Sequence, residues 1–398
     1  MPSRPWSRVS TTRRGVRLES PPHRGVSAPG HRMIRRRRGL SQDVTAGLAG
    51  ISKPYLPADR NSAEVLASLP AIRLVLNDFG PMDVPDLTPC RPDELASLVD
   101  CANGHCSQAN YSLAGHDAGV LLAESQASAL TVAADERDRA FTTVLTACFV
   151  AGVVSSRAGN IDLAATAARR GYDLAQQQDN AALVGFARWY WACELVSMGA
   201  RTRADAVSSA GIDDLTPAVR LSRSDTLAAE LVGMMHLQQA RAAARQQRTD
   251  DAHAHLDEAA QLAGRVGECN GMQQHFGPTN VTAWRVSIGV ELAEGARVYE
   301  DATAAPIDID VLGSRERSSS MHFDFARVLA QEGGPRDGEA IRHLDSADRA
   351  APQRMRNDPI ARDLVLTLDR RAQRRVWELD SLRNRFGVAS RSQRSGDN

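Results

Sequence analysis

The stretch DLAATAARRGYDLA, residues 162–175, carries small residues at helical spacing and has neither the period-two alternation nor the β-branched density of a strand. Its alanine-rich wording recurs as DDAHAHLDEAAQLA at 250–263 and as GEAIRHLDSADRAAP at 338–352. Small side chains at fixed helical positions let two helices approach closely, as stacked hairpins require. Each of the three follows a longer helical run across a turn. The pairs are 135–158 with 161–176 around Gly159-Asn160, 226–247 with 250–266 around Arg248-Thr249, and 317–331 with 338–349 around Gly333-Gly334-Pro335. A further pair, 181–198 with 203–210, turns at Gly199-Ala200. Strand-like alternation is absent from residue 63 onward, so the fold class expected is all-α.

These turns fall about 40, 49 and 85 residues apart, so degenerate pairs must lie between them; residues 279–295, with Val281, Trp284, Val286, Ile288 and Leu292, supply one such helix. Residues 358–386 read as one long arginine-dense helix capping the array, and residues 390–398 as a frayed polar tail. Ahead of the pairs, residues 63–79 form an apolar stripe interrupted by Pro70. The four prolines of residues 80–92 read as a linker and a domain boundary. The alanine-bearing pairs resemble tetratricopeptide-type repeats. An all-α helical-hairpin array of that kind is expected over residues 93–388.

Charge is balanced overall, with 48 basic and 48 acidic residues among 398, but it is unevenly placed. Residues 1–40 hold eleven arginines and one acid, Glu19, so the remaining 358 residues carry 37 basic and 47 acidic groups. Such a basic arm before an acidic body suits an anionic partner. Residues 1–32 lack apolar periodicity and read as a disordered basic arm, with Met33 expected as the true start. No stretch has the apolar core of a signal peptide or approaches membrane-spanning length, so a cytoplasmic protein is expected, without a membrane partner.

Residues 33–56 carry the front motif. Ser41 is an N-cap before a two-turn helix whose apolar face holds Val44 and Leu48, and Asp43 suits the positive first turn. Gly50 fits a left-handed C-cap, and Ser52 opens a second helix in which Pro54 is tolerated early. Helix, glycine turn and polar-started helix are the parts of a helix-turn-helix. The wording Arg35 to Gln42 followed by LAGISKPYL, residues 48–56, resembles the XRE-class, Cro/cI-type transcriptional regulators. In that family the chain continues the recognition helix and adds a back half. Here Pro57 follows Leu56 and stops the helix after about one turn, so the module reads as truncated over residues 57–62.

The resemblance implies DNA-binding roles for particular residues. Ser41 and Gln42 would contact phosphate, while Ser52, Lys53 and Tyr55 would begin the groove-reading helix. Arg35, Arg36, Arg37 and Arg38 would neutralise phosphates with salt-sensitive affinity. It also covers the wording WRVSIGVEL at 284–292. The function it implies is a transcriptional regulator that acts as a homodimer on double-stranded DNA, with a helical-repeat domain sensing a peptide or small molecule. Truncation is expected to weaken the DNA contact. The alternative is an interaction scaffold that has lost DNA binding.

No catalytic constellation is present: the sequence holds no GxSxG, HExxH, Walker loop or strand-borne GxGxxG, and no cofactor is expected. Asp213-Asp214 and Asp250-Asp251 read as helix-start or turn carboxylates. The six cysteines, unpaired in spacing, read as reduced thiols. Cys101, His105 and Cys106 lack a fourth ligand, so no metal site is expected. Two stretches are candidates for ligand binding. Trp189-Tyr190-Trp191 lies on a first-type helix, of the kind that lines a concave face. Three consecutive rings cannot all point inward, so one is expected at a groove or edge. The loop from His275 to Asn280 turns sharply into a helix that Thr279 is expected to cap, and it precedes Trp284.

Overall fold

The computed structural model describes residues 60–221, 226–304, 308–372 and 376–388. Among these residues the fold is all-α, and the sole β-type pairing is an isolated antiparallel bridge between Cys269 and Phe276. The front motif of residues 33–56 lies outside the described residues.

Chain order begins with α1 (Arg60–Asp78), α2 (Pro92–Ser107), the short α3 (Tyr111–Gly115) and α4 (Ala118–Thr131). Three hairpins follow: α5 (Arg137–Arg157) with α6 (Ile161–Ala175), α7 (Ala181–Ser197) with α8 (Arg201–Leu221), and α9 (Leu227–Ala244) with α10 (Thr249–Val266). A degenerate pair, α11 (Pro278–Glu291) and the short α12 (Arg297–Ala304), precedes the last full hairpin, α13 (Arg315–Gln331) with α14 (Asp337–Ala350). The chain closes with α15 (Pro352–Asn357), α16 (Pro359–Arg371) and α17 (Trp377–Phe386).

The turns are built as the residues dictate. Gly159 and Gly199 adopt left-handed φ angles of +80° and +82°, which glycine takes without Cβ strain, and they stop α5 and α7. The third hairpin has no glycine there. Gln247 takes the left-handed conformation at φ +58°, and the Arg248 amide donates to the Ala243 carbonyl at 3.0 Å. Asn180 caps α7, its Oδ1 accepting from the amides of Ala182 and Leu183 at 3.1 and 3.3 Å. The alanine-rich face of α6 is buried at Ala164, Ala167, Ala168 and Gly171. A Cβ at Gly171 would stand 3.4 Å from that of Cys148 on α5, so the small side chains set the close approach of the two helices.

Several details differ from the sequence reading. α1 runs unbroken through Pro70. The segment after α1 is held to the body: Gln126 donates to the carbonyls of Gly80 and Asp83 at 2.7 Å each. Buried Arg170 donates to the carbonyls of Leu76, at 3.0 Å, and Phe79, satisfying the end of α1. α1 also contributes Val65, Leu69, Ile72 and Leu76 to the same hydrophobic core as α2–α11. α8 extends to Leu221, so Asp213 and Asp214 sit within a helix, where Asp214 pairs with Arg188.

The expected single closing helix is two. Ala372 leaves helical geometry at ψ 113°, and α17 docks Leu379, Leu382 and Phe386 into a second core shared with α13, α14 and α16. Burial of those three side chains outweighs continuation of the helix. Ala134–Arg157 is long and apolar enough to cross a membrane, contrary to the sequence reading; 72% of its apolar window is buried, which makes it a core helix.

Candidate functional site

The first helices of the hairpins, α5, α7, α9, α11 and α13, line a central cavity of about 300 Å³, while the alanine-rich second helices pack outside them. The volume lies at the small end of ligand pockets. Distant parts of the chain meet around the cavity. Ser107 Oγ and His275 Nε2 share a hydrogen bond at 3.0 Å, Ser314 Oγ donates to the Ser107 carbonyl at 3.1 Å, and Asn357 Nδ2 donates to the Arg157 carbonyl at 2.9 Å.

Glu316, at the start of α13, is the hub of these contacts. Its carboxylate accepts from the Tyr111 hydroxyl and from Arg157, and it pairs with Arg354 Nε at 3.2 Å. Burial alone would raise its pKa. The Arg157 and Arg354 guanidiniums and the Tyr111 hydroxyl outweigh burial and hold the carboxyl below its ordinary value. The same pairing raises Arg157 against its own desolvation.

The aromatic stretch divides. Trp189 and Tyr190 line the cavity, stacked on and edge-packed against Phe149 at centroid distances of 6.1 and 4.9 Å. Trp191 does not line it; its ring lies under Arg169 of α6, with the guanidinium 5.9 Å from the centroid. All three rings are buried, and the two that border a concave space are Trp189 and Tyr190. α7 is covered on nearly every side, by α5, α6, α8 and α9.

The second candidate stretch reaches the same cavity through His275, Asn280 and Trp284. Phe276 anchors the loop, its fully buried ring lying on Gly233, where a Cβ would stand only 2.1 Å from the ring. Met272, Gln273 and His275 are non-glycine residues at positive φ, a strained run fixed by surrounding hydrogen bonds. Among these, Glu230 accepts from the Gly271 amide at 2.7 Å, and Asn280 donates to the His275 carbonyl at 2.7 Å. Thr279 is not the helix cap. Gly277 occupies that position, and Glu268 accepts the Thr279 amide at 2.8 Å, so that amide has no free donor for a ligand. His275 is pushed down to about 4 by burial and by Arg317.

Sequence reasoning missed the cavity's charged groups. Glu194 is the one acid of α7, and burial raises it to about 7 against Arg157 and Arg241. Arg241, on α9, lies over Trp284 with its guanidinium 5.6 Å from the ring centroid, and burial lowers its pKa. Arg317, on α13, is lowered by burial as well. Buried side-chain atoms without a hydrogen-bond partner are concentrated in the residues that line this cavity: Trp189 and Trp284 Nε1, the Tyr190 hydroxyl, Glu194 Oε2, Gln238 Oε1, Asn280 Oδ1, and Nε and Nη2 of Arg241. Native interiors rarely leave such groups unmatched, and a cluster of them marks a place where polar partners are received.

A second cavity, about 590 Å³, lies between α10, α11 and α12. Its charges are matched internally, His253 with Glu294 at 2.8 Å, Arg285 with Asp257 at 3.4 Å and Arg297 with Asp301 at 3.7 Å. It is larger but lacks the concentration of unpaired groups, which favours the central cavity as the site. No group of three or more metal-ligating side chains occurs among the described residues; Cys101 Sγ and His105 Nε2 stand 3.8 Å apart. The candidate DNA contacts Arg35, Arg36, Arg37, Arg38, Ser41, Gln42, Ser52, Lys53 and Tyr55 lie outside the described residues.

No protein-family model, curated protein or solved structure matches the chain.

Proposed function

We propose that the chain is a cytoplasmic transcriptional regulator whose helical array senses a ligand in the central cavity and whose front segment contacts DNA as part of a homodimer. The observation that carries the sensing half is the concentration of unpartnered buried polar atoms in the residues that line one central cavity. Recurring hairpins with first helices inward support the tetratricopeptide-like reading of the array. The DNA half rests on the XRE-like wording of residues 35–56 and on the arginines before it.

A ligand held by helices from both ends of the array would couple occupancy to the spacing of two front segments, because it binds one closure state better than another. The test is a salt-titrated binding assay on mixed genomic fragments. Selection of particular fragments with a steep salt dependence, relaxed by Lys53→Ala, supports the regulator. Unselective binding that vanishes at physiological salt leaves the second reading, an interaction scaffold.

A further inference from the structure

We infer that the central cavity takes a small organic anion, its charged group between Arg241 and Arg317 and its apolar ring against Trp189 and Trp284. The inference rests on the reading of this cavity as a ligand site and names the chemistry it selects.

Charge matching carries the argument. Glu316 is committed to Arg157 and Arg354, and Asp324 to Arg327 at 3.1 Å. Among the described residues Arg241 and Arg317 have no ion-pair contact, although both line the cavity; Glu194 and Glu291 act on the former and Glu316 on the latter from beyond ion-pair distance, and both guanidinium charges act on the Cys193 thiol. Two half-buried guanidiniums with no carboxylate in ion-pair contact are well placed to receive an anion. Their planar forks suit carboxylate, phosphate or sulfonate oxygens. The other unpartnered groups are three donors, Trp189 Nε1, Trp284 Nε1 and the Tyr190 hydroxyl, and three acceptors, Glu194 Oε2, Gln238 Oε1 and Asn280 Oδ1, so they suit polar groups of either kind and the arginines alone select for charge. The cavity's volume of about 300 Å³ admits one or two rings and no folded partner.

Glu194 tunes the site. It is faced by Arg157 of α5 and Arg241 of α9, and it has Tyr190 and Cys193 beside it on α7. Protonated, it adds a donor and leaves the arginines uncompensated; ionised, it repels the anion. His275 and Cys193, shifted to about 4 and about 12, keep their protonation states through the neutral range. Anion binding is therefore expected to weaken as pH rises through the Glu194 titration.

The experiment uses two fluorescent two-ring probes of similar shape on the full chain, the anionic naphthalene-1-sulfonate and the neutral naphthalene-1-sulfonamide. The anionic probe is expected to bind about tenfold more tightly. Arg241→Gln and Arg317→Gln should each remove most of that preference while leaving the neutral probe's affinity and the far-ultraviolet circular dichroism unchanged. Competition with indole-3-acetate and phenyl phosphate then separates carboxylate from phosphate recognition. On the unaltered chain, raising the pH from about 6 to about 8 should weaken the anionic probe severalfold and spare the neutral one, a readout independent of whether either arginine variant folds. Equal affinity for both probes, or no dependence on pH and on the arginines, overturns the anion while the cavity remains a ligand site. Failure of both probes to bind overturns the cavity as well.

Discussion

The hydroxyl of Tyr190 on α7 lies directly against Gly152 on α5: a Cβ at residue 152 would stand 1.7 Å from that oxygen. The absence of a side chain at Gly152 is what lets the phenol lie flat in the cavity wall, where it is buried and unpartnered. Gly152→Ala therefore forces the ring to move. Overpacking of this kind costs about 1–3 kcal/mol, more than the gain in helix propensity from glycine to alanine. Tyr190→Phe removes the oxygen and should itself be close to neutral, because it deletes an unsatisfied buried group. In the Gly152→Ala/Tyr190→Phe double variant the loss should be smaller than for Gly152→Ala alone, read as a coupling energy in denaturant unfolding. Additive losses would show that the two residues do not meet.

Contact around the cavity concentrates at Glu316. Glu316→Gln keeps the shape but leaves Arg157 and Arg354 without their carboxylate. Breaking a buried pair costs about 3–5 kcal/mol, and the partial exposure of these groups brings the expectation to about 2–3 kcal/mol. The location of the effect matters more than its size. Hydrogen exchange should accelerate in residues 105–111 and 313–317, and remain slow in α14, α16 and α17. Uniform acceleration along the chain would mean that Glu316 supports the fold generally and does not act as a latch.

Much of the array was legible in sequence because the hairpins obey local rules. Glycine stops at 159 and 199, and alanine faces at Ala164, Ala167 and Ala168, are short-range signals that tertiary packing reinforces. The break between α16 and α17 was not legible, since no proline or glycine marks it and its cause is the docking of Leu379, Leu382 and Phe386 onto distant helices. Half of the site was visible as aromatic and loop wording at Trp189, Tyr190, His275, Asn280 and Trp284. Its charged half was not. Arg241, Arg317 and Glu194 look like ordinary helix residues until the superposition of five helices turns them onto one cavity.

Asp348 ties α15 and α17 to α14. This residue of α14 is fully buried and accepts from Arg356 at 2.8 and 3.1 Å and also from Arg385 of α17. Its neighbour Asp345 pairs with Arg349 at 2.6 Å and with Arg385, but it is partly exposed. Asp348→Asn should cost about 3 kcal/mol, since two guanidiniums lose a buried partner. Asp345→Asn should cost about 1 kcal/mol or less, as a screened pair does. Thermal unfolding of the two variants checks the ranking, and comparable losses would contradict it.

Acid should weaken the fold through its histidines. His236 Nδ1 meets His255 Nδ1 at 3.1 Å between α9 and α10, and His322 Nδ1 meets His343 Nδ1 at 3.0 Å between α13 and α14. Such a contact needs at least one neutral ring. His236, His275 and His343 are pushed down to about 4, chiefly by burial, with His255 beside the first, Arg317 beside the second, and His322 and Arg342 beside the third. His255 and His322 are lowered by burial too, although Asp251 and Asp205 act against it on the former and Asp310 on the latter. A depressed folded pKa means the unfolded chain binds protons first, so stability is fully present above the ordinary histidine value of 6.5 and is lost as pH falls toward 4. Glu194 works the other way. Its raised pKa of about 7 contributes stability below the ordinary carboxyl value of 4.5 that is lost as pH rises through 7. Asp100, Asp205 and Asp324, also raised by burial, act in the same sense as Glu194, and with five histidines against these carboxyls the net expectation between pH 7 and pH 5 is a loss on the order of 2–4 kcal/mol. Denaturant unfolding at both pH values measures it. His236→Gln/His343→Gln should flatten the acid limb, whereas greater stability at pH 5, or an unchanged slope in that variant, would place the titrating groups elsewhere.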